Sequence, residues 1–286
     1  MNFSQKTFFK NKNQFLSAFN PPPPYNRKDF EQKSLKKKAF TLAETLITLA
    51  IIGVVAALTV PTLMSNYQKQ EIITKLKKTQ STLSNATKLM VINSGCSSGD
   101  FDCTGFNDSS LVYNGITFSN TSSKKLYMIG SQFKKRYICL PESPDNNLDI
   151  CKNSRYIISV PGITFTSGTN SLVLEDGTIL RLAGIYYSYG DKDQGLPIVV
   201  DINGAKGPNS AGKDIFQFYL APTTNNGIEA GSVFPYKSAA HAAYAENPYA
   251  GVIECGTENP NALDHALGKL DCAAKILKEG AVNYKI

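Results

Sequence analysis

The chain is poor in the residues that most enzyme chemistry needs. Only two histidines, His241 and His265, occur among its 286 residues. Asp264 and His265 are sequence neighbours, so on a helix their side chains would not face each other. No phosphate-binding loop, dinucleotide fingerprint or H-E-x-x-H pair is present. No C-x-x-C pair occurs, which argues against the common zinc modules. Gly95-Cys96-Ser97-Ser98-Gly99 satisfies G-x-S-x-G literally. That nucleophile elbow needs a strand before it and a helix after it, whereas here it follows a helical stretch in a Gly/Ser/Asp loop. Asp191 and Asp193 read as a solvated turn. These observations weigh against an enzyme.

Net charge is also missing from most of the chain. The formal charge is +7, and residues 1–39 carry all of it, with nine basic and two acidic side chains. The remaining residues hold 21 of each sign. A basic nucleic-acid-binding body is therefore not indicated, and no specific nucleic-acid partner is inferred.

What the chain does have is one long apolar run, Phe40 to Met64. Its only charge is Glu44, and the 20 residues from Thr45 to Met64 carry none. That length suits a helix crossing a hydrocarbon core of ~30 Å. Lys36-Lys37-Lys38 precede it, which predicts a cytoplasmic N-terminus and a translocated remainder. A cleaved secretory signal would have a shorter apolar region and an A-x-A-like site, and Pro61-Thr62-Leu63-Met64 offers none. A lipoprotein would need a cysteine just after the run, but the first is Cys96. A plain signal anchor explains the lysines but not Glu44, since an acid in an apolar helix is costly unless paired or near the interface.

The string Lys36-Lys37-Lys38-Ala39-Phe40-Thr41-Leu42-Ala43-Glu44 strongly resembles the processing site of type IV prepilins and type II secretion pseudopilins. The resemblance covers about 50 residues. It implies cleavage by a prepilin peptidase between Ala39 and Phe40, followed by methylation of the new Phe40 terminus. It implies that Glu44 neutralises that terminal amine within a filament of bundled apolar helices. Gly53 and Pro61 match the family's helix-loosening positions. Ala39 departs from the family's usual Gly, which predicts slower cleavage. The leader is long and contains Pro21-Pro22-Pro23-Pro24, a stiff polyproline II spacer. Residues 1–34 are either a cytoplasmic extension or a mis-assigned start, with Leu35 as the alternative. The implied partners are other pilin or pseudopilin subunits, the peptidase, the membrane and an inner-membrane assembly platform. The implied location is the inner membrane, single-pass with a periplasmic head, and then a filament in the periplasm or at the cell surface. The rival from another class is a signal-anchored periplasmic binding domain that never polymerises. The major secretion pseudopilin is usually smaller than this head, which favours a pilus subunit.

Beyond Met64, the spacing of Ile72, Leu76, Leu83 and Met90, with Ile73, Ala86 and Leu89 beside them, predicts that the helix continues to Asn93. Asn93-Ser94-Gly95 reads as its stop. Three segments follow in outline: a leader at 1–39, a transmembrane helix at 40–64, and an amphipathic helix half with a β-rich head at 65–286. Strands are expected at Leu111–Phe118, Arg155–Val160, Ile185–Tyr189, Pro197–Ile202 and Ile215–Leu220. Leu172–Leu182 reads as a hairpin about Asp176-Gly177. Helices are expected at Ala239–Ala245 and Ala262–Glu279. One long helix followed by strands gives an α+β class, pilin-like, with the helix on an antiparallel sheet.

The six cysteines, Cys96, Cys103, Cys139, Cys151, Cys255 and Cys272, all follow the apolar run. An even count in a translocated head fits three disulfides, for which fifteen pairings exist. Pairing of sequence neighbours is the simplest. The loop Asp201–Asp214 concentrates side-chain oxygens with glycines, which suits calcium. Asp201, Asn203, Asn209 and Asp214 are the candidate ligands of a structural calcium, the one cofactor considered. Gly212 occupies the place of an EF-hand's closing Glu, so the loop is not an EF-hand. Some pseudopilins bind calcium in a loop beside their sheet, and this loop is similar in kind. The alternative is an Asx-rich turn held by side-chain-to-backbone bonds.

Overall fold

The computed structural model describes residues 41–97, 100–155, 159–160, 163–164, 170–182, 195–204, 206, 209–245, 255 and 270–284. The chain divides into two units, one through Ala56 and one from Ala57 onward. Helix α1, Leu42–Asn93, supplies the described part of the first unit and opens the second.

In the first unit the side chains of α1 stand in the open: Leu42, Ile47 and Ile52 are all exposed. The most apolar stretch of α1 has a mean hydropathy of 2.4 and none of it is buried. The helix is long and apolar enough to cross a membrane.

In the second unit α1 turns amphipathic. Ile72, Ile73, Leu76, Leu83, Ala86 and Met90 are buried at helical spacing, joined by Thr79 and Thr87. Leu89 departs from the expectation and is 42% exposed. It precedes Met90 and so points roughly 100° away around the helix. Thr87 compensates for its polarity by donating to the Ser84 carbonyl at 2.8 Å and the Gly231 carbonyl at 2.7 Å. The helix ends where the sequence predicts. Gly95 takes φ +71°, its N–H bonds the Ile92 carbonyl, and the Cys96 N–H bonds the Val91 carbonyl. This is a Schellman stop, which needs a left-handed residue that glycine adopts without strain.

The stripe packs on an antiparallel sheet of six strands. They are β3 (Arg136–Cys139), β6 (Ser171–Leu174), β7 (Ile179–Leu182), β8 (Leu196–Asp201), β9 (Ile215–Leu220) and β10 (Val233–Pro235), in the order β10-β9-β8-β7-β6-β3. The α1-facing side presents Ile138, Leu172, Leu180, Ile198, Val200, Phe216 and Phe218 to one core with Leu76, Leu83 and Met90. The reverse face is also buried and carries polar members, Ser171, Arg181, Asp201 and Gln217, among Val173, Ile179 and Tyr219. The fold is therefore α+β and consistent with a pilin-like architecture.

Several expected elements change on inspection. Leu111–Phe118 is not one strand but a hairpin of β1 (Val112–Tyr113) and β2 (Ile116–Thr117). Asn114 at φ +49° and Gly115 at φ +76° turn the chain between them. Arg155 closes helix α3 (Asp149–Arg155) instead of starting a strand; 156–158 lie outside the described residues, and Ser159–Val160 (β4) is extended, paired with Ile163–Thr164 (β5). Cys151, bonded to β3, anchors that helix to the sheet. Ile185–Tyr189 lies outside the described residues. The expected last helix begins at Cys272 (α5, Cys272–Glu279) within the described residues, and 262–269 lie outside them. The hairpin about Asp176-Gly177 and helix α4 (Ala239–Ala245) form as expected.

Helix α2 (Thr121–Gly130) was not legible from periodicity. It is capped by Asn120, whose side chain accepts from the Ser123 N–H at 2.8 Å. Its Lys124 is only 1% exposed and donates to the Gly105 and Asp108 carbonyls at 3.1 and 2.7 Å. The outer edge of β3 is blunted by Asp145, whose carboxylate accepts the Ile138 N–H at 2.9 Å. Lys124→Met should leave the part-buried Gly105 and Asp108 carbonyls without their ammonium donor. The expected loss is about 2–3 kcal/mol of unfolding free energy, measured by urea denaturation of the full chain in detergent.

Candidate functional site

The first candidate centre is the start of α1. Thr41 and Glu44 form a reciprocal cap. The Thr41 N–H and hydroxyl donate to Glu44 Oε2 at 2.8 and 3.0 Å, and the Glu44 N–H donates to Thr41 Oγ1 at 3.2 Å. This is a capping box, and T-x-x-E was its signal in the sequence. Both bonds from Thr41 fall on Oε2, so Oε1 has no hydrogen-bond partner among the described residues. Ala39 and Phe40 lie outside the described residues. Gly53 has nothing within 4 Å of an added Cβ, so packing against the described chain does not demand a glycine there. Pro61 sits inside α1 without ending it. It has no N–H to give the Ala57 carbonyl, so the helix is one bond short there.

The second candidate is the loop after β8. Asp201, fully buried, ends that strand. Its Oδ1 accepts from the N–H groups of Asn203 at 3.1 Å and Gly204 at 2.9 Å, and its Oδ2 accepts from Asn209 Nδ2 at 3.1 Å. Gly204 is obligatory: at φ +64°, an added Cβ would sit 2.1 Å from the Gly177 carbonyl oxygen of the β6–β7 turn. The far end closes on Asp214, 6% exposed, whose backbone carbonyl accepts the Ile202 N–H at 2.9 Å.

The structure thus brings Asp201 and Asn209 into contact and folds Asp214 and Asn203 onto the same short loop. The Asx-turn alternative accounts for Asp201 Oδ1. It does not account for Asp214 Oδ2 or Asn203 Oδ1, both buried without a hydrogen-bond partner among the described residues. An all-oxygen set with two acids and orphaned oxygens suits a hard cation such as calcium. Burial, with the charge of Asp214 added, pushes the Asp201 carboxyl up to about 7 despite its backbone hydrogen bonds and the field of Lys75. Burial raises Asp214 as well, against Lys213 and Lys75. The loop therefore holds negative charge at a cost that a bound cation would relieve.

Other candidates resolve differently. The cysteines form three bridges, Cys96–Cys103, Cys139–Cys151 and Cys255–Cys272. Asp271 lies with Cys255 and Cys272 in a cluster of metal-ligand type, but the two sulfurs are bonded to each other. The literal G-x-S-x-G follows the end of α1, and its Cys96 is disulfide-bonded. His241 is buried, accepts the Lys237 N–H on Nδ1 at 3.2 Å and packs 4.3 Å from the Tyr219 ring. His265 lies outside the described residues.

With this geometry in place, comparison with known proteins adds one finding. Residues 34–60 match the family model described as the prokaryotic N-terminal methylation motif. The match spans the basic run, Phe40, Glu44, Gly53 and the helix up to the residue before Pro61. It supports a prepilin segment of the type IV pilin and pseudopilin kind, and with the apolar helix it points to membrane anchoring. No curated protein and no solved structure gives a significant match to the chain.

Two outcomes follow. Thr41→Val should remove the reciprocal cap at a cost of about 1 kcal/mol to the helix start. Hydrogen exchange of the detergent-solubilised chain should then show amides near Thr45 exchanging about fivefold faster. The second concerns pH. Asp201 binds its proton up to about 7 in the folded state against an ordinary 3.8. The folded state then holds more protons than the unfolded chain across that interval, so stability falls as pH rises through it. In chelator, the melting temperature should drop from pH 4 to pH 7.5, and Asp201→Asn should flatten that drop.

Proposed function

We propose that the chain is a structural subunit of a type IV pilus-like or type II secretion filament. It is a pilin or pseudopilin, not an enzyme. The observation that carries the reading is the methylation motif placed on a helix whose apolar run the described residues leave uncovered. Before assembly the membrane covers that run. After extraction, the matching runs of neighbouring subunits cover it. The prepilin peptidase cuts before Phe40, and the new terminus is methylated.

Glu44 has a definite task in this scheme. Its Oε2 already closes the helix start with Thr41. Oε1 is left to receive the charged amine of Phe40 from its own or a neighbouring subunit. In an apolar filament core such a charge left alone would be costly, so docking favours the position where the pair forms. Gly53 and the missing bond at Pro61 let the helix adjust as it packs.

The head stands on the translocated side, where oxidation closes the three disulfides. A structural calcium would be held by Asp201, Asn203, Asn209 and Asp214, neutralising two buried acids, Asp201 at the end of β8 and Asp214 just before β9. At pH 7.5, added calcium should then raise the melting temperature in the wild type and not in Asp201→Asn/Asp214→Asn.

The decisive experiment is intact-mass and N-terminal analysis of the protein from native membranes and from the sheared surface fraction. The expected product begins at N-methyl-Phe40 and carries three disulfides. Glu44→Ala should be processed yet absent from filaments. An uncut chain, or a processed chain that never enters filaments even when overproduced, would overturn the proposal.

A further inference from the structure

The loop that carries Asp201 and Asp214 is held from two sides. The β6–β7 turn presses on Gly204 at one end. At the other end the chain makes a tight return into β9. Gly212 takes φ +81° there, and its N–H donates to the Ile215 carbonyl at 3.0 Å. The N–H groups of Lys213, Asp214 and Ile215 all converge on the Ser210 carbonyl, at 3.2, 3.0 and 3.1 Å. The Gly212 carbonyl faces outward from this return and receives the hydroxyl of Tyr284.

Tyr284 reaches that place because of how the C-terminal segment is tied down. Leu270 offers its carbonyl to the Gln217 N–H of β9 at 3.2 Å. Cys272 is bonded to Cys255, and Ile276 is fully buried. Gly280 ends α5 at φ +67°, with its N–H on the Ile276 carbonyl at 2.8 Å. The reversed chain then buries Val282 in the main core and delivers the half-buried ring of Tyr284 to Gly212. Burial, and the neighbouring charge of Asp271, hold the phenol well above its ordinary range, so it remains a donor at any working pH.

We infer that the segment Leu270–Tyr284 is a clasp that sets the shape of the Ser210–Asp214 return of this loop, with Tyr284 as its positioning residue. Tyr284 is 72 positions from Gly212, and its hydroxyl bonds a backbone carbonyl, not a candidate ligand, two residues before Asp214. The carboxylate of Asp214 is therefore presented on a return that the C-terminus holds shut. The inference deepens the cation reading of this loop: occupancy of the site becomes dependent on an intact C-terminal segment.

Tyr284→Phe tests it, since only the donor is lost and the ring remains. Hydrogen exchange is followed in the full-length chain in detergent, with chelator and then with calcium alone. In chelator, the amides of Gly212 to Ile215 should exchange about tenfold faster in the variant. Those of β6–β8 and of α1 from Ile72 to Val91 should keep their wild-type protection. Where the wild type binds calcium, the dissociation constant of the variant should rise about tenfold. Unchanged loop exchange overturns the clasp, and so does acceleration spread evenly over the whole sheet, which would make the phenol a general prop. A wild type that binds no calcium, paired with a variant whose loop alone exchanges faster, retires the cation and upholds the clasp.

Discussion

One contact organises the second unit: the stripe of α1 from Ile72 to Val91 against one face of a six-stranded sheet. Neither surface is stable in water alone, and each is matched to the other by spacing, 3.6 residues on the helix and two on the strands. Thr87 and Gln80 lie near this contact and donate to the carbonyls of Gly231 and Val233, so the helix is pinned to the short edge strand as well as packed on it. Lys78 and Asp176 add an ion pair at 2.6 Å, but both are partly exposed, so water screens it and the apolar contact dominates.

The reverse face of the sheet answers a different demand. Its strands read as mostly apolar runs, Ile-Phe-Gln-Phe-Tyr-Leu in β9 being buried throughout, because both sides are covered. That cover permits Arg181 and Asp201 to lie inside. A buried carboxyl at the end of a central strand is expensive, and the chain meets the cost with backbone N–H groups from Asn203 and Gly204 and an amide from Asn209. The buried oxygens left over at Asn203 and Asp214 are the ones the proposed cation would use.

The sequence announced what is local. Asn93-Ser94-Gly95 stops a helix by chemistry confined to three residues, and Asp176-Gly177 turns a hairpin by the same kind of rule. Asp201, Asn203, Asn209 and Asp214 were visible because oxygen donors and glycines crowd one short stretch. Asn114-Gly115 is a turn signal that the apolar residues on either side of it obscure. Strand β3 and helix α2 escaped because Arg-Tyr-Ile-Cys is too short to show a period, and α2 has few apolar positions. Tyr284 was beyond reach, for no local pattern ties that tyrosine to a glycine 72 positions earlier in a turn between two strands. Thr41 stands between these cases: its T-x-x-E pattern with Glu44 is a legible capping signal, overshadowed by the apolar run that follows.

The disulfides carry a consequence for how the head is made. Each bridge joins close neighbours, with separations of 7, 12 and 17 residues. Closing a short loop costs less chain entropy than closing a long one, and the cost climbs with the logarithm of length. The native partners are therefore also the ones that meet most often in the unfolded chain. None of the bridges spans the sheet, so none has to wait for β3 to find β6 or for α1 to find its face. Oxidation and folding become separable events, and the chain can set its covalent splints before its strands have been sorted.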